Sequence, residues 1–229
     1  MSRLWAAALL LLGGALPAPA AASEPPRAAN ETVQLGLRSL GWAIPFGRMS
    51  RAGVPVSDTI SGAFPMMLDL GGKISPRLFL GAYLGFNVGY AGDAYSELCQ
   101  RSVSCSANNV RLGLQAQLHL RPARRLNPWI GLGFGTEATT VTAETRINNI
   151  TQTLGGTSSF QGIEYLHMTL GLDFRAEEIY GYGPYVTFTT GSYETTTARN
   201  TSGTNRTRAI PDPSLHHWLT IGIRLILFP

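Results

Sequence analysis

Three features of the sequence predict an all-β fold, an eight-stranded antiparallel up-and-down transmembrane β-barrel. Apolar residues alternate with polar or small ones over unusually long segments. The connections between those segments alternate short and long. Charge is scarce, at 14% of 229 residues, while glycine reaches 26. An average soluble domain carries about 25% charged residues, so this composition argues against a soluble enzyme with a Lys- and Glu-coated surface. The 44% hydrophobic content likewise excludes a disordered chain. The net charge of +4 is spread along the chain, and Lys73 is its single lysine. No basic tract with interleaved aromatics occurs, so no nucleic-acid partner is expected.

The chain opens with a leader. Met1-Ser2-Arg3 supplies a positive start, Leu4 to Leu16 is almost wholly apolar, and Ala18 to Ala22 offers small residues for cleavage. This layout predicts a signal peptide over 1–22, since the apolar run falls short of the roughly 20 residues of a spanning helix. A short periplasmic segment, 23–31, then precedes a barrel over 32–229. In an exported chain the two cysteines, Cys99 and Cys105, read as a disulfide. A loop this short gains on the order of 2 kcal/mol at best.

The strands follow in order. Thr32 to Ile44 begins with Val33, Leu35 and Leu37 on one face and shifts phase near Leu40 and Trp42, which predicts a bulge. Ile60 to Lys73 sets Phe64, Met66, Leu68 and Leu70 against Met67, Asp69 and Gly71. In Leu78 to Tyr90 the apolar positions are Leu80, Ala82, Leu84, Phe86 and Val88, opposite Gly81, Tyr83, Gly85 and Asn87. Val110 to Leu120 alternates Leu112 and Leu114 with Arg111, Gly113 and Gln115. A fifth strand runs from Ile130 to Glu137, and a sixth carries Leu166, Met168, Leu170, Leu172 and Phe174 against His167, Thr169, Asp173 and Arg175. Tyr182 to Tyr193 is Thr-rich, and Leu215 to Phe228 closes the set. Alternate side chains point to opposite faces of a strand. Most of these segments exceed the 5–6 residues usual in globular proteins and suit the roughly 9–11 of a tilted membrane-crossing strand.

Connections near 73–77, 121–128 and 175–182 are short, whereas those near 45–58, 91–108, 143–159 and 194–213 are long and polar. That asymmetry is the pattern of a bacterial outer-membrane barrel, with both termini periplasmic and the long loops extracellular. The polar stripe carries Gly, Thr, Gln and Asn with charges of both signs, which suits a crowded interior. Arg38, Asp69, Lys73, Arg111, Glu137, Asp173, Arg175 and Arg224 are expected to form an internal charge network, because buried charges survive only when paired. A tight hairpin after Arg121 would make Arg111 and Glu137 cross-strand neighbours. Tyr90, Phe160, Phe174 and Tyr182 are expected in an interfacial aromatic girdle.

Thr220, Gly222, Leu225, Leu227 and Phe228 resemble the C-terminal barrel-assembly signal of outer-membrane barrels, with leucines where aromatics are commoner and Pro229 after the phenylalanine. The mature chain is similar in architecture to the small eight-stranded barrels of the OmpA, OmpX and OmpW type. This resemblance implies insertion by the barrel-assembly machinery into a Gram-negative outer membrane, among phospholipid and lipopolysaccharide.

Some barrels of this size are lipid-modifying enzymes, which use a His beside a Ser nucleophile and an acid. Parity turns His119, His167 and His216 inward and His217 outward, and leaves Glu164 off the face of His167. No Ser-His-acid set shares one face and depth, so no catalytic residue, cofactor or metal is expected. An eight-stranded interior is just wide enough to be filled by its own side chains. The reading is a non-enzymatic, monomeric outer-membrane protein with a structural or surface-interaction role. A narrow porin-like channel for small or hydrophobic solutes is the alternative, and a lipid A-modifying enzyme stands third.

Overall fold

The computed structural model describes residues 33–51, 53–95, 99, 103–147, 150–177, 179–199 and 204–227. The expected signal peptide, the segment 23–31 and Phe228 lie outside the described residues. The strands are β1 (Val33–Gly47), β2 (Ile60–Lys73), β3 (Leu78–Ala91), β4 (Val103–His119) and β5 (Leu126–Ile147). They continue as β6 (Ile150–Arg175), β7 (Tyr180–Arg199), β8 (Asn205–Ala209) and β9 (Leu215–Leu227). One helical turn, α1 (Val56–Thr59), leads into β2.

Neighbours pair antiparallel in chain order from β1 to β7, then β7 pairs with β9 and β9 with β1. The wall is therefore a closed barrel of eight strands. The short β8 is additional: it pairs only with the Thr195–Arg199 end of β7 and takes no part in closure. Among the described residues no helix is long and apolar enough to cross a membrane.

Side-chain parity sorts the two surfaces. Phe64, Met66, Leu68 and Leu70 on β2, and Ile221, Ile223, Leu225 and Leu227 on β9, are exposed on the outside. Arg38, Asp69, Gln117, His167, Thr169 and Arg224 are fully buried inside. Inward glycines make room for inward aromatics: a Cβ at Gly171 would run into the Trp129 ring, and one at Gly135 would stand 2.6 Å from the Tyr83 hydroxyl.

Bulges reset parity at identifiable points. The register shifts between Ser39 and Trp42, where Leu40 takes a φ of +50° and stands outside the wall. Ahead of the shift even-numbered residues face inward (Gln34, Arg38); beyond it Ala43 does. A second shift, unforeseen from the sequence, lies between Glu164 and Leu166 on β6.

The third long connection is not a loop. β5 and β6 remain paired out to Ile147 and Ile150, across most of the stretch expected as coil. Among the residues whose side chains are described, the large exposed apolar residues of β5 stop at Phe134 and those of β6 begin at Ile163. The Thr- and Ser-rich hairpin beyond therefore projects past the apolar band, where alternation of hydrophobicity has no reason to persist. Phe160 is a related correction. It pairs with the inward Thr139 and packs on Tyr193 at a ring distance of 6.1 Å, inside the wall and away from a girdle. Tyr90, Phe174 and Tyr182 are exposed on the outer surface. Cys99 and Cys105 are joined by a disulfide with their Cα atoms 5.6 Å apart.

Candidate functional site

The residues that carry chemistry converge on the lumen, which is filled in layers. At the long-loop end the filling is apolar. Met49 and Val56 turn inward and join Ala43, Ile60, Ala63, Ala107, Val141, Tyr193 and Trp218 in one buried cluster. Bridges from Arg48 to Pro55 and from Ser50 to Pro213 hold this first connection in place. The amide of Arg51 adds a bond to the carbonyl of Asp212 at 3.1 Å.

Below that cap lies the first ionic layer. Glu137 faces Arg111 directly across β4 and β5, at 3.5 Å, and also holds His216. His216 stacks on Tyr193 at 4.1 Å, and the Tyr193 hydroxyl lies 2.6 Å from that of Thr139. Arg111 reaches on to Glu164 at 3.3 Å, donates to Thr189 at 2.8 Å and lies 4.9 Å from the Trp218 ring.

Glu164 corrects the sequence reading. It is buried in the lumen, 2.8 Å from His167 Nδ1, and accepts a bond from the Tyr83 hydroxyl at 2.8 Å. The cause is the bulge at Tyr165. One extra residue in β6 leaves both Tyr165 and Leu166 facing outward and reverses parity on its loop side, so that Phe160 and Glu164 face inward where His167 and Thr169 do beyond it. Two adjacent apolar residues, Tyr165-Leu166, in an otherwise alternating strand are the signal that locates this shift.

A third layer centres on Arg38. Its guanidinium meets Asp69 at 2.6 Å, Thr169 at 3.0 Å, and His167, Thr187 and Gln115 each at 3.3 Å. Gln115 donates to the same Asp69 oxygen at 2.6 Å. Arg38 stands directly opposite Arg224 across the β1–β9 seam, and Arg224 lies 3.9 Å from the second Asp69 oxygen. Arg224 then forms the fourth layer, with Gln117 at 2.8 Å, Asp173 at 3.4 Å and the Trp129 ring at 4.2 Å. Trp129 closes the layer by donating to Asp173 at 3.0 Å.

Six of the eight residues expected in the lumen network thus sit in these layers. Lys73 and Arg175 sit lower and half-buried. They line a cavity of about 10 Å³ at the turn end with His119, Asn127 and Asp173. That volume holds about one water molecule. Chemically the lumen is a fixed scaffold. Three arginines face four carboxylates, Asp69, Glu137, Glu164 and Asp173, and Thr169, Thr187 and Gln117 accept further bonds from Arg38 and Arg224. Among the described residues no group of three or more His, Cys, Asp or Glu is arranged to hold a metal ion. His217 faces away from the lumen, packed between Phe46 at 5.2 Å and Phe188 at 5.5 Å.

No protein-family model matches the sequence, and no curated protein matches it. Solved structures do align. A major outer membrane protein from Thermus thermophilus matches at 11% identity and a TM-score of 0.47, over 83% of this chain and 99% of that one. The outer membrane protein OprG from Pseudomonas aeruginosa matches at 10% identity and 0.46, over 88% and 99%. The outer membrane protein AlkL, solved in lipid bilayers, matches at 14% and 0.44, over 94% and 97%.

Proposed function

We propose that this chain is an outer-membrane barrel of a Gram-negative envelope with a non-enzymatic, structural or surface-interacting role. The observation that carries the reading is the pairing of an apolar outer surface with a filled lumen. Lipid is the solvent that tolerates a continuous outward stripe of exposed Leu, Ile and Phe. Large exposed apolar patches on a soluble monomer would instead mark an interface or an aggregation site. Inside, the apolar cap and the stacked arginine–carboxylate layers occupy the cross-section that a diffusing solute would need, which supports a static role over a channel. In this reading the chain is inserted by the barrel-assembly machinery and acts as a monomer. Its termini and short turns are periplasmic, and the disulfide-bearing connection and the β5–β6 hairpin face the exterior.

The test joins fractionation to conductance. The chain is expected to sediment with outer membranes and to migrate faster on gels before heating than after. In planar bilayers it is expected to give no resolved openings with its loops intact. Recovery as a soluble periplasmic protein would overturn the membrane reading. Discrete openings that vary with solute would replace the structural role with a narrow channel. Altered lipid A acylation on expression would point instead to an enzyme.

A further inference from the structure

We propose that the short-turn end of the barrel is a binding site for the headgroups of anionic phospholipids in the adjoining leaflet; this rests on the membrane reading above. By sequence the three turns carry six basic residues, Lys73, Arg77, Arg121, Arg124, Arg125 and Arg175, and two acidic ones, Glu177 and Glu178, while Asp173 lines the turn-end cavity beside Lys73 and Arg175. The opposite end interleaves its arginines with Asp58, Asp93, Glu194 and Asp212. The barrel's surface charge is therefore polarised toward the turns.

Backbone geometry draws these cations into one arc. The carbonyl of Arg77 accepts the His119 amide at 2.7 Å, which ties the β2–β3 turn to the start of the β4–β5 turn. The carbonyl of Arg125 accepts the Arg175 amide at 2.8 Å and ties that turn to the end of β6. Within the β4–β5 turn the Arg121 carbonyl accepts from Arg124 at 3.0 Å, and the Arg121 amide donates to Asn127 Oδ1 at 3.0 Å. Arg77, Arg121, Arg124 and Arg125 are all exposed. Guanidinium forks match phosphate oxygens two at a time.

Depth selects the source of the phosphate. Arg121 directly follows the exposed Leu120, Arg125 directly precedes the exposed Leu126, and Arg175 directly follows the exposed Phe174. Phe174 and Tyr182 stack beside this edge, their rings 6.2 Å apart. Each of these cations thus stands one residue beyond the apolar band, in the layer where headgroups lie. Lys73, Arg124 and Arg175 also line the turn-end cavity, but its volume of about 10 Å³ is too small for a phosphate ion. The charge is offered to a surface and encloses no soluble anion.

The experiment is native mass spectrometry of the folded chain released from bilayers of equal phosphatidylethanolamine and phosphatidylglycerol. Phosphatidylglycerol adducts are expected to dominate. A basic residue near a charged membrane surface contributes a factor of about five, so Arg121→Gln/Arg124→Gln/Arg125→Gln is expected to reduce the preference at least roughly tenfold. Arg206→Gln/Arg208→Gln at the other end is expected to leave it intact. Equal retention of the two lipids, or a preference unchanged in the triple variant, would overturn the proposal. Loss of the adducts on adding inorganic phosphate would assign the site to soluble phosphate and overturn the lipid assignment. Heat-modifiable migration and liposome flotation of the same samples report insertion separately, so failure to insert indicts the membrane reading and not the headgroup site.

Discussion

Removing the Asp69 carboxylate probes the lumen scaffold most directly. Asp69 is completely buried, 2.6 Å from Arg38 and 3.9 Å from Arg224. At an effective dielectric of about 20 these separations correspond to gross attractions of roughly 6 and 4 kcal/mol. Desolvation of three charges offsets much of that gain, and breaking a buried pair from one side costs about 3–5 kcal/mol. Arg38 would lose its carboxylate partner, because its other contacts are Thr169, Thr187, Gln115 and His167. Arg224 would keep Asp173 at 3.4 Å. Asp69→Asn is therefore expected to lower the unfolding free energy by about 4 kcal/mol. Urea unfolding in phospholipid vesicles, followed by tryptophan fluorescence and gel migration, measures it. The double variant Asp69→Asn/Arg38→Met, set against both single variants, should recover much of the loss, leaving a coupling of roughly 2 kcal/mol or more between the two sites. A single-variant cost under about 1 kcal/mol, or a double variant that merely adds its parts, would refute the reasoning.

Other outcomes follow from the same geometry. Gly171→Ala drives a methyl group into the Trp129 ring and should cost about 1–3 kcal/mol in the same urea assay; an unchanged midpoint would mean that Trp129 does not occupy that space. Cysteines at Tyr165 and Leu166 should both react with a lipid-phase probe while one at Glu164 is protected. Alternating protection through 164–166 would remove the bulge. Leu132→Arg, on the exposed outer face, should destabilise insertion by about 2–4 kcal/mol if the site lies near the bilayer midplane. A neutral result would contradict an outward, lipid-facing Leu132. Reducing the Cys99–Cys105 disulfide should lower barrel stability by no more than about 2 kcal/mol, read as the shift in thermal midpoint; loss of the whole barrel on reduction would show that the bridge holds more than its own connection.

How much is legible in advance follows from where hydrophobicity is under constraint. In Leu78–Tyr90 one face meets the apolar surroundings and the other the lumen, so period two is written in every residue and β3 emerges nearly as read. Arg111 and Glu137 are also readable, because the length of one hairpin sets their register. Contacts across the lumen are not. Arg38 meets Thr169 over 131 residues of chain, and parity says that both face inward without saying at what depth. Parity misplaces Glu164 because a single extra residue in β6 reverses parity on its loop side. The β5–β6 hairpin reads as coil because its strands are rich in Thr and Ser, so the hydrophobic alternation that marks the other strands is weak in its sequence.

The seam between the first and last strands is held by a group from neither of them. Arg38 on β1 stands directly opposite Arg224 on β9, and like charges in that position repel. The carboxylate set between them, Asp69, belongs to neither strand but to β2. A terminal strand docking on β1 alone would meet an uncompensated guanidinium, whereas one docking on a finished β1–β2 hairpin meets a site already neutralised. The electrostatic match between the first and last strands therefore depends on a carboxylate from the second, with Asp173 of β6 as the other counter-charge to Arg224.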